Sequence, residues 1–437
     1  MNNAPALGLS IVLIGWAAAM RSLSGTWLQP SAFFALWWCL AGVLPLLLTP
    51  NEPVGANAMI WLIVASMAVS LGAAAGNWGF RTRLISEPSP PTDRENRLFG
   101  LALSISIVLG MGSSIAFAVG SAVQLSDLLD LEKLVIVSNQ LYVQRFAEVG
   151  APPAPPFSQA LLPFVYLAPA VGGIVFVLRS SFGWRLVALA SFIPAISVTV
   201  LQTTKAAVLF AAVLWLSSYF ATRLRFGQLA VFTKRHVILA AVVGGAVGAF
   251  FFGVGLARMA STDLSLLSIV FVKLLTSAFG HMTVFSQWLT EYWREPFNPS
   301  LGTITFAGPL EMLGYSQRIP GLFEAVVDLI AGESSNIYTG FRPLIQDFTV
   351  PGALAILVLL GFVGGTGFRL VAAGRWSAVP LLLIAYVTIF WTPITWFWIY
   401  NSLTATIAAI GLMVFFIRLW RGALSARTSR EPLGSFN

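Results

Sequence analysis

The sequence predicts an all-α polytopic membrane protein of about eleven transmembrane helices in a single integral membrane domain spanning 1–437. Three observations carry that expectation. Residues of the AVILMFWYC set make up 57% of the 437 residues, charged residues only 10%, and the mean hydropathy is +0.83. A soluble chain carries about 25% charge, so this one cannot cover a water-facing surface. The apolar residues come in continuous runs rather than in period-two alternation, which disfavours a β-barrel. At about 20 residues per helical span, eleven spans take about half the chain.

The spans read from the N-terminus fall near 6–20, 30–48, 57–77, 98–122, 159–178, 186–202, 206–221, 237–256, 350–370, 376–391 and 402–418. The first lacks a basic n-region and a small-x-small cleavage site, and Arg21 follows it. It is expected to be a membrane helix with its N-terminus outside rather than a signal peptide. With that orientation only eight of the 25 basic residues face outward: Lys133, Arg145, Lys205, Arg258, Lys273, Arg294, Arg318 and Arg342. The other seventeen lie in the inner loops and the 419–437 tail, as the positive-inside rule requires. The same rule accounts for the net charge of +8 without invoking nucleic acid.

Two outer segments are long. The first, 123–158, holds an amphipathic helix over 128–149 with apolar Leu131, Leu134, Leu141 and Phe146, stopped by Pro152, Pro153, Pro155 and Pro156. The second is 257–349. Within it 264–289 is apolar enough to cross, but a crossing would put the basic tail outside. It is therefore expected to be a re-entrant hairpin broken near Gly280, or an interfacial helix. Gly244, Gly245 and Gly248, like Gly361, Gly364 and Gly365, lie inside apolar spans and are read as close helix packing. No phosphate loop and no Asp-x-Asp clamp exists. Cys39 has no partner cysteine and His236 and His281 are the only histidines, so no zinc-ligand set and no cofactor is expected.

The inner loops carry no plausible catalytic set, which leaves 290–347. That stretch gathers carboxylates, arginines and aromatic residues, among them Glu291, Glu311, Glu324, Glu333, Trp288, Tyr292, Tyr315 and Tyr338. Aromatic faces beside carboxylates and amides suit a sugar, and the alternative is a wet loop rimmed by interfacial aromatics. Outer cations run against the topological bias, so an anionic ligand at the outer surface gives them a purpose. Arginine suits phosphate through its planar fork. Lys205 occupies the tight turn Gln202-Thr203-Thr204-Lys205, with snorkelling as its ordinary explanation.

The run Ser334-Ser335-Asn336-Ile337-Tyr338-Thr339-Gly340-Phe341-Arg342-Pro343-Leu344-Ile345-Gln346-Asp347-Phe348 resembles the signature of bacterial oligosaccharide repeat-unit polymerases of the Wzy type. Thr305-Phe306-Ala307-Gly308-Pro309, Glu311-Met312-Leu313-Gly314 and Thr203-Thr204-Lys205 resemble further stretches of that family. One departure is that the family commonly follows the Asp-Phe pair with Gly, whereas this chain has Thr349-Val350-Pro351-Gly352. The resemblance implies a GT-C-like, lipid-glycan-using glycosyltransferase of the bacterial inner membrane, with its active site facing the periplasm and its C-terminus cytoplasmic. It implies transfer of a growing glycan from undecaprenyl pyrophosphate to a sugar hydroxyl of an incoming undecaprenyl-pyrophosphate-linked unit, for O-antigen, capsule or exopolysaccharide. It further implies membrane lipid, a chain-length regulator and a flippase of the same pathway as partners.

In that scheme Arg342, Lys205, Arg258 and Arg318, with Asn336, Tyr338 and Thr339, would bind substrate and its pyrophosphate without a metal. Asp347, Glu311, Glu333 and His281 are the candidates for the base that takes the acceptor proton. O-antigen ligases share the donor and are the near alternative. A transporter or flippase would show charges buried in mid-span and two similar halves, which this sequence lacks. A non-enzymatic scaffold would leave the signature unexplained.

Overall fold

A computed structural model describes the chain apart from residues 1–2, 79–91, 122, 124–125, 128–129, 148–154, 203, 230–233, 260–262, 296–297, 316–322, 324–325, 330–331, 333 and 429–437. The described residues form sixteen α-helices and one two-stranded ribbon. The helices are α1 (Ala4–Ser24), α2 (Pro30–Leu48), α3 (Ala56–Gly76), α4 (Asp93–Gly120), α5 (Leu131–Ala147), α6 (Pro156–Leu178), α7 (Phe182–Ala190), α8 (Ile193–Gln202), α9 (Ala206–Arg225), α10 (Lys234–Arg258), α11 (Leu267–Phe279), α12 (His281–Arg294), α13 (Ala307–Met312), α14 (Phe341–Ala372), α15 (Val379–Trp391) and α16 (Asn401–Thr428). The ribbon pairs β1 (Val327–Asp328) antiparallel to β2 (Ser334–Ser335), with Val327 opposite Ser335.

Among the described residues, eight helical segments are long and apolar enough to cross a membrane: α1, α2, α3, α4, α6, α7 with α8, α9 and α14. The bent pair α11–α12 makes up to nine. The other three expected spans coincide with shorter apolar helices, Gly244–Arg258, Trp376–Trp391 and Asn401–Ile417. The protein is thus an all-α, multi-pass membrane protein.

Contacts between helix ends sort the connections into two groups. At one end, Asn3 donates its side-chain amide to the carbonyls of Pro50 (2.9 Å) and Glu52 (3.1 Å), and Gly55 N donates to Ser286 Oγ at 2.8 Å. Gly340 N donates to Thr392 O there, and Phe210 of α9 packs on Trp391 and Tyr400. At the other end, Thr26 donates to Leu229 O, Arg179 to Asn96 O and Arg369 to Trp78 O, while Arg225 lies over Trp376. We call these the Asn3 end and the Arg21 end. The grouping is that expected from the charges, with 55–57, 286–310, 340–347 and 392–401 together at the Asn3 end.

The element over 264–289 breaks at Gly280, as expected, and the two helices meet there at a bend of 50°. Val270 of α11 packs on Gly255 near the end of α10, and Thr290 of α12 accepts from Asn57 at the start of α3. Both ends of the pair therefore lie at the Asn3 end, with its vertex at the level of Ala41 inside α2. The helix expected over 128–149 is α5, and it lies over the bundle. It is fastened by polar groups, Ser138 to Val200 O (3.0 Å) and Asn139 to Arg258 O (2.7 Å), while Ile136 and Val143 stay exposed.

The packing expected of Gly361, Gly364 and Gly365 is present. A Cβ on Gly361 would lie 2.1 Å from Val69 O, and one on Gly365 2.4 Å from Ala73 O. Gly72 and Gly76 of α3 face α14 in the same way, at 1.8 Å from Val358 O and 2.4 Å from Phe362 O. Four glycines thus let two backbones touch. The expectation fails for Gly244, Gly245 and Gly248, where a Cβ would meet nothing within 4 Å. Helix α10 stands at the rim of the bundle, and glycine spacing alone does not distinguish a packed face from an open one.

Gly361→Leu and Gly365→Val are expected to destabilise the purified protein by about 1–3 kcal/mol or more, because neither backbone can yield. Gly244→Leu and Gly248→Leu are expected to be neutral. Thermal unfolding in detergent measures both, and equal losses in the two pairs would contradict the packing described.

Candidate functional site

Helix α14 is two helices joined at Thr349, whose φ of 61° and ψ of 177° are not helical. Two residues later Pro351 has no N–H to offer the carbonyl of Asp347. The break leaves the carbonyls of Gln346 and Asp347 without helical partners. The loop after Ser300 supplies them: Ser300 N donates to Gln346 O at 3.3 Å and Leu301 N to Asp347 O at 3.1 Å. The Asp347 carboxylate completes the junction. It accepts from Ser300 Oγ, from Ile304 N at 3.3 Å and from Thr305 N at 2.5 Å, and it is fully buried. Asp347 is therefore the clamp that holds loop 300–305 onto the half-helix 341–348. Both oxygens of this candidate base are engaged in these contacts.

Arg342 lies in the first turn of the same half-helix. Its guanidinium is held between the rings of Phe323 and Tyr338, each 3.9 Å from the Cζ, with Trp288 at 5.5 Å. It donates to the Tyr338 hydroxyl, and the Glu291 carboxylate acts on its charge. Its Nε and Nη1 are buried and have no hydrogen-bond partner among the described residues. Asn336 holds Phe323 in place by donating to its carbonyl at 3.3 Å. Thr339 turns the chain into the helix with a φ of 66°, is fully buried, and accepts from Phe341 N through its hydroxyl. Gly340 then passes 2.9 Å from Thr395 O, measured from where a Cβ would stand.

The three residues other than glycine with positive φ among the described residues are Leu301, Thr339 and Thr349. For β-branched threonine this backbone is costly, of order 1–3 kcal/mol per residue, and such strain gathers at functional sites. All three belong to this one junction. At the Asn3 end, the buried atoms of Arg, Glu or Gln that find no hydrogen bond are also here, among the described residues: Arg342 Nε and Nη1, Gln346 Oε1 and Glu311 Oε2. Buried polar atoms are normally bonded, and this group can satisfy a ligand that brings both donors and acceptors.

The remaining expected residues divide. Lys205 and Arg258 come together where α5 bridges the ends of α8 and α10. Burial first, and then the Arg258 charge, pull the Lys205 ammonium down to about 8. Arg318 and Glu333 lie outside the described residues. His281, another candidate base, sits inside the bundle as a staple. Pro45 inside α2 leaves the Ala41 carbonyl without a helical donor, and His281 Nε2 lies 3.0 Å from that oxygen. Its Nδ1 is 3.1 Å from Ala278 O, and the side chain is buried, so no nitrogen faces a substrate.

Sequence reading missed two site residues. Phe323 carries no local signal, since only the fold brings it to Arg342. Gln346 had one, because it stands four residues after Arg342 on the same helical face. Among the described residues, no group of three or more His, Cys, Asp or Glu is placed to hold a metal ion. Comparison of the chain with family models, with curated proteins and with solved structures finds no match.

Two measurements check this geometry. His281→Leu is expected to cost about 1–3 kcal/mol by orphaning the Ala41 carbonyl, and much less when Pro45→Ala restores a backbone donor. Additive losses in the double variant would contradict the staple. The Lys205 amine is expected to react with a lysine-modifying reagent with a half-point near pH 8, since the neutral amine is the nucleophile. A half-point near its ordinary value of 10.5 would contradict its surroundings.

Proposed function

We propose that this protein is a membrane glycosyltransferase that polymerises lipid-linked oligosaccharide repeat units. The observation that carries the reading is Arg342. An arginine sandwiched between aromatic rings with two donors unspent, in a strained junction at one end of a membrane bundle, suits a phosphate next to a sugar. It stands in the segment 334–348 whose sequence resembles the polymerase signature. The membrane bundle suits a substrate on a lipid carrier such as undecaprenyl pyrophosphate. Eleven crossings, with the three shorter apolar helices spanning, and a GT-C-like architecture belong to the same proposal.

The positive-inside rule assigns the Arg21 end to the cytoplasm, because Arg21, Arg94, Arg97, Arg179, Arg185, Arg223, Arg369 and Arg375 are near it. The Asn3 end, with the candidate site, then faces the periplasm. In the reaction, an acceptor sugar hydroxyl attacks the anomeric carbon of the donor glycan. The new glycosidic C–O bond forms as the bond to the pyrophosphate breaks, and the pyrophosphate leaves with the electron pair. Arg342 stabilises the charge developing on it, with Lys205 and Arg258 as further cations at this end. The hydroxyl proton goes to a carboxylate. Glu311 is the candidate that remains at the site once Asp347 and His281 are assigned to the fold, because one of its oxygens is buried and unbonded. Chemistry by fixed cations calls for no divalent metal.

Arg342→Ala and Arg342→Lys are each expected to abolish polymer while leaving the protein in the membrane, because an ammonium does not reproduce a planar fork. Lipid-linked products from cells and from purified protein test this. Single-repeat products support the proposal. Full-length lipid-linked polymer that never reaches its final carrier would indicate a ligase instead, and normal surface polymer from Arg342→Ala would remove the residue from the site. Activity that EDTA abolishes and magnesium restores would overturn the metal-free chemistry.

A further inference from the structure

Gln346 follows Arg342 by one helical turn, on the same face of the half-helix 341–348 and about 6 Å along its axis. The two side chains present opposite needs. Arg342 has buried N–H donors at Nε and Nη1 without an acceptor, and Gln346 has a buried carbonyl oxygen, Oε1, without a donor. An inorganic anion satisfies the first and leaves the second unmet. A neutral sugar satisfies the second and brings no anionic acceptor to the two N–H groups of Arg342. A ligand that meets both carries an anionic group and a hydroxyl within one helical turn of each other.

We propose that Arg342 and Gln346 together bind a glycosyl phosphate. The phosphate oxygens accept from Arg342 Nε and Nη1, and a hydroxyl of the sugar ring next to the phosphate donates to Gln346 Oε1. Gln346 is thereby a specificity-determining residue that reads the first sugar of the lipid-linked glycan. This rests on the glycosyltransferase reading and names the part of the substrate that the site holds.

The surroundings fit such a ligand. Phe323, Tyr338 and Trp288 line the guanidinium with aromatic rings. Both residues are held rigidly. The backbone carbonyl of Gln346 is fixed by Ser300 N, and the neighbouring Asp347 is clamped to loop 300–305. Reading a hydroxyl with a preset acceptor also excludes strongly, because a ligand lacking that hydroxyl leaves Oε1 buried and unbonded.

The test is binding of soluble probes to the purified full-length protein in detergent, by calorimetry: a panel of hexose 1-phosphates, the free hexoses and inorganic phosphate. At least one hexose 1-phosphate is expected to bind about tenfold more tightly than inorganic phosphate, and the free hexoses far more weakly than either. Gln346→Leu and the nearly isosteric Gln346→Met are expected to erase that tenfold advantage while binding inorganic phosphate as the unaltered protein does. Arg342→Ala is expected to lose both. Retained phosphate binding shows in each Gln346 variant that the site is folded. Hexose 1-phosphates bound no better than phosphate, or an advantage that persists in both Gln346 variants, would overturn the proposal. Those results are separable from failure of the polymerase reading, which is judged by the products of Arg342 variants and not by probe affinity.

Discussion

A backbone carbonyl or N–H in apolar surroundings must find a partner, and this architecture depends on how its broken helices meet that demand. Two breaks matter most. Pro45 frees the Ala41 carbonyl in α2, and His281 fills it from the vertex of the α11–α12 bend. Thr349 and Pro351 free two carbonyls in α14, and the start of loop 300–305 fills both. Each break thus recruits a distant segment. The Asn3 end of the bundle is assembled from these repairs, and the candidate site is built on the second of them.

The same demand explains why the aspartate of the signature-like run serves the fold. A half-helix ending against a strained residue cannot hold itself in place. Asp347 gathers the N–H groups of Ile304 and Thr305 and the Ser300 hydroxyl into one point, and so fixes the platform that carries Arg342. The aromatic cage settles the rest. Asn336 positions Phe323, and Tyr338 both stacks on the guanidinium and accepts from it.

Much of the bundle was legible in the sequence because the forces that set it are written locally. Continuous apolar runs give the long helices, and the bias of the cations groups the connections into the two ends that the contacts then show. The Gly280 break and the Gly361 and Gly365 packing were visible for the same reason. What was not legible depends on distant partners. Gly244 and Gly248 share the composition of the packed glycines but meet no neighbour. Arg342 stood out as an outer cation, but Phe323 and Trp288 are far from it in sequence, so its cage was invisible. The contacts of Asp347 and His281 were hidden as well, because a sequence shows a titratable group and not the carbonyl or N–H it faces. Pro45 and Pro351 were the available hints, since each announces a carbonyl in search of a donor.

The break at Thr349 also separates two mechanical regimes within one helix. Beyond it, α14 is riveted to α3 through Gly72, Gly76, Gly361 and Gly365 and must lean as that pair leans. Before it, the half-helix takes its position from loop 300–305 and from the contact of Gly340 with Thr392. A bilayer that thickens or thins changes the tilt of long helices. Thr349, where the two regimes meet, is the residue inside α14 whose backbone is not helical.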